Sequence, residues 1–526
     1  MSSEGYVLGH SPRWPLLEIH MSVLQADSLL SIHQDLDFHS VEGQRIFVPA
    51  INLRNWGDRS FAEAHGLKYS YMAGSMAHGI SSVALVKAVA REGMLGSFGA
   101  AGLSLQVVEK AIDTLQFDLG EQIFAVNFIH TPQEPLIEER LCDLLLNKGV
   151  RLIEASAFMR LSKALVRYRV RGLRKDSDGR IRSAQSIIAK VSRVELAKHF
   201  WSPAPLAILD ELLAEGSITV QEHELAQRVP VAHDLTVEAD SGGHTDNRPL
   251  VTLLPQMLLL KNEIEKQFSY QKPLRVGAAG GIATPHATLA ALSMGAADIV
   301  TGTVNQACVE AGTSEDVRKM LSETTQSDLI MAPAADMFEM GVKLQVLKRG
   351  TMFAMRAQKL YELYRRYPDL GSIPDQDRKT LEDTYFRMSL DKAWDETRRF
   401  FEERDPTQIT IASTNPKHKM ALVFRSYLGQ SSHWANRGVS DRKIDYQVWC
   451  GPAMAAFNDW VRGSAIDALP ERRAGLVGLN ILYVSAVLHR VRQLQFQGLK
   501  NPEWESLLRP MAEPTLRLHL ESGRYG

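Results

Sequence analysis

A glycine-rich segment, Arg275–His286, has the composition of a phosphate-binding turn. Gly280 and Gly281 follow an apolar run, and Thr284 and Pro285 are residue types that begin helices. Glycine lets the backbone approach a ligand closely, and the free N–H groups of a helix N-terminus favour anions. The segment therefore predicts an anion site, most simply for a phosphate.

A second turn of small residues, Gly302 and Thr303, ends the next apolar run. If the two runs are neighbouring parallel strands of a barrel, the two turns can hold one phosphate between them. The alternative is a pair of tight turns without a ligand. A Rossmann dinucleotide site is less well supported, because the spacing is Gly-x-x-Gly-Gly. In addition, Asp298 lies at the beginning of the following strand, whereas a ribose contact needs an acid at the end of that strand.

The segment Val237–Asp246 contains a diglycine followed by a histidine. Gly243 would allow the backbone to lie against a flat ligand, and His244 could donate a hydrogen bond or a proton near neutral pH. One alternative is a loop histidine that is satisfied by Asp246. A metal site shared with His233 is another, but no metal-ligand spacing supports it.

Three further positions end apolar runs and carry residues suited to a heterocyclic cofactor. Small residues suit close approach of a planar ring, an amide can pair with the polar edge of a heterocycle, and an ammonium group can neutralise developing negative charge or a phosphate. These residues are Ala73, Gly74, Ser75 and Met76, then Asn127, then Lys190. Taken singly, each is more often structural than functional.

Eight short apolar runs alternate with amphipathic stretches and would position these residues. The runs do not alternate apolar and polar residues, which is typical of parallel strands buried on both faces. This order predicts an α/β fold, a TIM (β/α)8 barrel, with a doubly wound open sheet as the alternative. The runs are Tyr71–Ala73, Met94–Phe98, Ile123–Phe128, Arg151–Glu154, Ser186–Lys190, Leu235–Ala239, Leu274–Ala278 and Asp298–Thr301.

Two insertions and a helical tail complete the expected organisation. Residues 167–188 should form a hairpin after strand four, and residues 198–229 a helical insertion after strand five that could overhang the barrel mouth as a lid. Helical periodicity without strands begins after Arg349. We expect an N-terminal segment over residues 1–45, the barrel over 46–349 and a helical C-terminal region over 350–526.

Composition excludes several classes of protein. The 60 basic and 61 acidic residues argue against nucleic acid as a partner. We find no run of about 18 apolar residues and so expect no membrane span. Three distant cysteines and the absence of a signal-like N-terminus indicate a cytoplasmic protein.

A local excess of positive charge stands out against this neutral background. It is either a solvated hairpin face or a docking patch for an acidic partner or a dinucleotide phosphate. The residues are Arg160, Lys163, Arg167, Arg169, Arg171, Arg174, Lys175, Arg180 and Arg182.

These motifs together resemble a known family. The sequence between Val48 and Lys348 resembles the nitronate monooxygenase-like FMN superfamily, and nearly the whole chain is similar to PfaD-type trans-acting enoyl reductases of polyketide and polyunsaturated fatty acid synthesis. The first likeness rests on Met72–Met76, Gly96–Gly102, Val126–Asn127, Ser241–His244, Gly277–Ile282 and Gly302–Thr303. The second rests on Ile188–Arg193, Phe200–Pro205, Asp445–Met454 and Asn458–Ser464.

The resemblance implies an FMN enzyme reduced by NADPH that saturates the α,β double bond of an enoyl thioester on an acyl carrier protein. It implies a polyketide or polyunsaturated fatty acid synthase complex as partner and leaves a homodimer open. Catalytic roles would fall to His244, as proton donor beside the flavin, and to Lys190. Cofactor contacts would come from Ala73, Gly74, Ser75, Met76, Asn127, Lys190, Gly243, Ala279, Gly280, Gly281, Gly302 and Thr303.

Two other functions stay open at this stage. One is a nitronate monooxygenase with the same flavin, and the other is a non-catalytic synthase partner. For the reductase we expect the tail to pack beside the mouth and to shape an acyl channel. Deleting the chain from about residue 405 should then impair turnover while sparing FMN binding.

Overall fold

The computed structural model describes residues 17–18, 26–40, 43–132 and 134–522. Its centre is a closed barrel of eight parallel strands, numbered here in chain order, in which β1 pairs with β8. The strands are β1 (Tyr71–Ala73), β2 (Leu95–Phe98), β3 (Ala125–Ile129), β4 (Leu152–Ser156), β5 (Ser186–Val191), β6 (Asp234–Glu238), β7 (Arg275–Ala279) and β8 (Ile299–Thr301). The predicted TIM barrel is confirmed.

Eight helices surround the barrel, and the last of them comes from near the end of the chain. They are α1 (Val83–Arg91), α2 (Leu105–Leu119), α3 (Pro135–Asn147), α4 (Lys163–Val170), α5 (Val194–Trp201), α6 (Leu250–Phe268), α7 (Pro285–Ser293) and α8 (Ala474–Phe496). Helix α8 packs between α7 and α1 and thereby closes the ring.

The remaining elements lie outside this ring. The helices are Ala26–Leu30, Leu53–Asn55, Arg59–Ala64, Leu206–Ala214, Val220–Ala226, Thr303–Gln306, Glu315–Ser322, Gln326–Asp328, Phe353–Arg366, Asp375–Thr380, Leu381–Phe386, Leu390–Arg404, Pro406–Thr414, Pro416–Arg437, Ser440–Asp445, Ala453–Val461, Leu469–Glu471, Pro502–Leu508 and Glu513–Ser522. The strand pairs are Leu17–Glu18 with Leu499–Lys500, Leu36–His39 with Arg45–Val48, and Arg174–Lys175 with Ile181–Arg182. A three-stranded antiparallel sheet contains Gly243–His244, Lys343–Leu347 and Leu329–Pro333.

Close backbone approach explains how α8 fits against the barrel. A Cβ atom on Gly478 would lie 3.0 Å from the Tyr71 ring of β1, and one on Gly475 would lie 3.0 Å from the Ala88 carbonyl oxygen of α1. By length and composition α8 could cross a membrane, with a mean hydropathy of 1.4, but 94% of that window is buried within the fold. The sequence analysis placed this helix in a region separate from the barrel. The structure makes it the eighth barrel helix; the domain boundaries themselves stay a prediction.

The hairpin lies at the N-terminal end of the barrel, opposite the mouth, and the helical insertion packs along the outer side of α4. The predicted hairpin is present between α4 and β5. The helical insertion contacts α4 and the hairpin, so the expectation of a lid over the mouth is wrong. The reason is the direction of α5, which begins directly after β5 and returns the chain to the far end before the insertion starts.

A buried ionic cluster fills the base of the barrel. Arg275 donates to both carboxylate oxygens of Asp234, at 2.5 and 2.9 Å, and His65 Nε2 lies 2.9 Å from the same carboxylate. Burial alone would raise the pKa of Asp234, but His65 and Arg275 outweigh it and lower that pKa. Asp298 lies buried here directly before β8, at the end of the barrel away from the mouth, and burial raises its pKa.

Replacing Asp234 with Asn should destabilise the fold, because the buried Arg275 would lose the carboxylate to which it is hydrogen-bonded. Losing one partner of a buried pair costs about 3–5 kcal/mol. For a chain of this length, that lowers the calorimetric midpoint by about 3–5 °C. Because the pKa is lowered, the contribution is present above about pH 4 and is lost on acidification. Asp37→Asn, in an exposed pair with Arg45, is the control and should leave the midpoint unchanged.

Candidate active site at the barrel mouth

Four polar side chains from consecutive strands form a polar floor at the C-terminal ends of β3 to β6. Asn127 donates through Nδ2 to the Ser156 hydroxyl at 2.9 Å and to the Glu154 carbonyl oxygen at 3.2 Å. Lys190 Nζ lies 3.1 Å from Glu238 Oε1. Asn127, Glu154, Lys190 and Glu238 are named the polar floor below.

Two carboxylates set the charge of Lys190. Burial disfavours its ammonium form, but Glu238 and Glu154 outweigh burial and raise the pKa of Lys190. Lys190 is therefore a fixed cation at neutral pH. It can neutralise negative charge on a ligand, but it does not act as a base there.

The loop after β1 is tied to the polar floor through its backbone. The Ser75 N–H donates to Glu154 Oε2 at 2.8 Å, and the Gly74 N–H donates to the Thr301 carbonyl oxygen at 3.0 Å. Ala73 is fully buried at the end of β1. Met76 packs so tightly on Gly99 that a Cβ there would overlap the Met76 carbonyl oxygen. The small residues thus fix the loop beside Glu154.

The turns after β7 and β8 adjoin one another and leave open space. A Cβ atom on Gly281, which has φ +73°, or on Gly302 would meet nothing within 4 Å. Gly280 differs, because a Cβ there would lie 2.6 Å from the Ala239 backbone, so it is needed for packing. Thr303 begins the short helix after β8. The N-terminus of α7 adds donors to this open turn.

Ala279 lies below these turns, inside the barrel. Its side chain belongs to a buried apolar cluster with Met72 and Val300. Its carbonyl oxygen accepts from the Ala239 N–H at 2.9 Å, which joins the ends of β6 and β7.

His244 is positioned by a residue distant in sequence. Its Nε2 lies 3.0 Å from Asp336 Oδ1, and residues 243–244 pair with the strand Lys343–Leu347. Burial alone would lower the pKa of His244, but Asp336 outweighs it and raises that pKa; Glu238 adds to the rise and Lys190 opposes it. Asp246 instead accepts from Ser192 at 2.6 Å and pairs with Arg193 at 3.2 Å. The alternative in which Asp246 satisfies His244 is therefore wrong.

The diglycine loop is packed by the C-terminal region. A Cβ on Gly242 would lie 2.9 Å from the Cys450 carbonyl carbon and the Gly451 nitrogen. Gly243 has a φ of +79° and faces Trp449, because a Cβ atom built on Gly243 would lie 3.9 Å from the indole ring. Gly242 is thus required by a protein contact.

The structure brings most of the predicted site residues to one mouth. The sequence analysis missed Glu154, Glu238, Asp336, His78 and Trp449. Glu154 carried a signal, because it is an acid within an apolar strand; Asp336, which is 92 residues from His244, carried none.

The basic residues between 160 and 182 lie along α4 and on the hairpin that follows it, which is at the end of the barrel opposite the mouth; Arg160 lies in the loop between β4 and α4. Most have partners within the chain: Lys163 pairs with Glu211 and Glu215, Arg167 with Asp143, and Arg182 with Asp176. Arg169 is buried and donates to Ser183. This favours a solvated hairpin face that is remote from the mouth. Within the described ranges, no group of three or more histidine, cysteine or acidic side chains could hold a metal ion.

Comparison with known proteins agrees with this architecture. The chain is 47% identical over 496 residues to a polyunsaturated fatty acid synthase polypeptide from Thraustochytrium sp., covering 91% of this chain and 33% of that protein. It is 44% identical over 459 residues to the polyketide biosynthesis protein PksE of Bacillus subtilis, covering 86% of this chain and 59% of PksE. The chain therefore spans only part of the length of these relatives.

Residues 367–446 match the family described as the inserted helical domain of [acyl-carrier-protein] S-malonyltransferase. Among solved structures, the chain resembles the enoyl reductase domain of MlnA from the macrolactin cluster of Bacillus amyloliquefaciens. The TM-score is 0.80 and the identity 36%, over 85% of this chain and 100% of that domain. The chain belongs to the enoyl reductase family of polyketide and polyunsaturated fatty acid synthesis that includes the MlnA domain.

Proposed function

We propose that the chain is an FMN-dependent, NADPH-using enoyl reductase that acts in trans on an enoyl thioester carried by an acyl carrier protein. The observation that carries the proposal is the 36% identity to an enoyl reductase domain over that domain's whole length. The relatives' names favour a role within a polyketide or polyunsaturated fatty acid synthase. Three buried free thiols fit a cytoplasmic location.

The residues at the mouth fit an FMN. The open turns at Gly281 and Gly302, with Thr303 and the α7 N-terminus, would hold its phosphate. The loop Ala73–Met76 offers small residues for the flat ring, and Asn127 and Lys190 offer a donor and a cation for its polar edge. When bound, the flavin would supply hydride transfer from NADPH to the thioester.

The chain's own residues would then manage charge and protons. Hydride addition at the β-carbon moves the C=C electron pair onto the thioester oxygen and leaves an enolate, and a proton at the α-carbon completes the reduction. His244 is the proposed proton donor, because Asp336 favours its protonated form. Lys190 would hold positive charge beside the cofactor throughout.

The visible spectrum and two anaerobic half-reactions test this proposal. Bound flavin gives bands at about 370 and about 450 nm. These bands should bleach with NADPH and return on adding crotonyl-CoA. A colourless protein would indicate a non-catalytic partner, and rapid nitronate turnover without reoxidation by the thioester would indicate a monooxygenase.

Thr303→Val tests the phosphate-binding turn. The substitution keeps the shape of the side chain and removes its hydroxyl, and a hydrogen bond to a charged group contributes about 1.5–3 kcal/mol. We expect the FMN dissociation constant, measured by flavin fluorescence, to rise at least about tenfold. Thr114→Val on the exposed face of α2 should leave it unchanged. Equal FMN affinity in the two variants would contradict the assignment.

A further inference from the structure

Two aromatic rings from different parts of the chain meet at the barrel mouth. The imidazole of His78, in the loop after β1, stacks on the indole of Trp449 with centroids 5.4 Å and planes 24° apart. Trp449 also faces Gly243, in the loop after β6. These two rings, named the His78–Trp449 wall, therefore join loops on both sides of the polar floor.

The backbone of His78 is held in an uncommon conformation. Its φ is +57°, in the left-handed region that glycine adopts more readily. Its N–H donates to the Ala101 carbonyl oxygen at 2.8 Å, and a Cβ on Gly102 would lie 2.5 Å from the His78 ring. Strained residues of this kind cluster at functional sites. The strain places the ring against Trp449.

The imidazole has hydrogen-bonding capacity that the fold does not use. Nδ1 is buried without a partner, and the side chain makes no hydrogen bond to any residue that the structure describes. The pKa of His78 is lowered to about 4 by burial, by the neighbouring His433 and by the charge of Arg404, against the opposing effect of Asp336. The ring centroids of His78 and His433 are 4.5 Å apart. The ring is therefore neutral near pH 7. Nδ1 is buried against Gly102, so it is the bare nitrogen of the neutral ring, and the other nitrogen, Nε2, carries the N–H that a ligand could use.

The charged side chains around this wall are paired with other side chains. Arg404 pairs with Glu134 at 2.9 Å, in the loop after β3, and Asp336 pairs with His244. The wall itself is thus a flat, uncharged surface with one unused polar group, beside a floor that is charged. A planar conjugated group with one carbonyl oxygen matches that combination.

We propose that the His78–Trp449 wall is a substrate-binding subsite in which the indole packs against the planar C=C–C=O unit of the enoyl thioester and an imidazole N–H donates to its carbonyl oxygen. The inference rests on the proposed function and specifies how its substrate is held. The hydrogen bond would strengthen as the C=C electron pair moves onto that oxygen, so His78 would act on the rate and Trp449 on binding.

Three variants separate these roles in anaerobic stopped-flow experiments with crotonyl-CoA as oxidant. Trp449→Ala should raise the crotonyl-CoA concentration for half-maximal reoxidation about tenfold, and Trp449→Phe, which keeps a flat ring, should raise it less. His78→Gly suits the left-handed backbone and should lower the maximal reoxidation rate about tenfold. Reduction by NADPH should stay unchanged in all three.

Rescue and control variants complete the test. His78→Asn tolerates the same backbone and retains a donor, so it should recover part of the rate. Phe117→Ala removes a ring that is 89% exposed on α2 and should change neither quantity. Thermal midpoints within about 2 °C of wild type would show that folding is retained.

The outcomes distinguish this inference from the function on which it rests. If the wild type is colourless, or its reduced form is not reoxidised by crotonyl-CoA, the proposed function and the subsite fall together. If the wild type reacts while Trp449→Ala keeps the wild-type half-saturation concentration and His78→Gly keeps the wild-type maximal rate, each within about twofold, the subsite is overturned and the reductase stands.

Discussion

A chain truncated after residue 404 is expected to lose its barrel fold and, with it, the proposed FMN site. The sequence alone suggests the opposite, that a deletion from about residue 405 spares FMN binding. The structure reverses this because α8 (Ala474–Phe496) lies beyond that point and fills the ring between α7 and α1. Net stability is only about 5–15 kcal/mol. Burial of each large aliphatic side chain contributes about 1.5–3 kcal/mol. The loss of this helix therefore removes more free energy than the net stability of the fold.

A pair of point variants tests the same contact without removing any residues. Gly478→Leu forces a side chain into the Tyr71 ring, 3.0 Å from its Cβ position. It should lower the thermal midpoint and the flavin content of the purified protein. Gly429→Leu makes the same change in the helix Pro416–Arg437, where a Cβ meets nothing within 4 Å, and should do neither. A soluble truncated chain with bound flavin would contradict the role assigned to α8.

The strands were predictable because their chemistry is local. Parallel strands buried on both faces need short apolar runs, and the fifth run, Ser186–Lys190, differs from β5 by a single residue. The position of α8 could not be predicted this way. Its apolar composition indicates burial, but nothing in it says which strand it covers after a long excursion from β8.

The site residues also differ in whether local sequence or long-range contacts determine their positions. Asn127 lies two residues before the end of β3 and Lys190 one residue before the end of β5, so barrel geometry alone brings them toward one rim. The partners that set their chemistry are harder to find. Glu154 and Glu238 fix the charge of Lys190 from neighbouring strands, whereas Asp336 reaches His244 from a loop of the sheet Leu329–Leu347. Contacts between distant loops leave no periodicity in a sequence.

The C-terminal region also proves to be a part of the mouth. A buried carboxylate, Asp445, accepts from Tyr427 at 2.6 Å and from Arg442 at 3.1 Å, and it contacts Arg356. This fixes the segment that leads to Trp449. The expectation that the tail lies beside the mouth therefore agrees with the structure, although its last long helix serves the barrel wall.

Asp336→Asn is expected to move the pH dependence of thioester reduction to lower pH. Asp336 is the largest of the effects that raise the pKa of His244, whereas burial and Lys190 lower it and Glu238 raises it further. If the protonated imidazole is the proton donor, activity falls as pH rises through its pKa. Removing the carboxylate should shift this fall by about one pH unit toward acid.

His244→Ala should lower the maximal rate of flavin reoxidation by crotonyl-CoA about 100-fold or more, because general acid catalysis contributes at least that factor. Reduction by NADPH should be unaffected, since no proton passes to the α-carbon in that half-reaction. Asp316→Asn, which removes an exposed partner of Lys443, is the matched carboxylate control and should keep the wild-type pH profile. A pH limb that stays in place in Asp336→Asn, with a full rate in His244→Ala, would assign the proton to water and leave His244 a structural role.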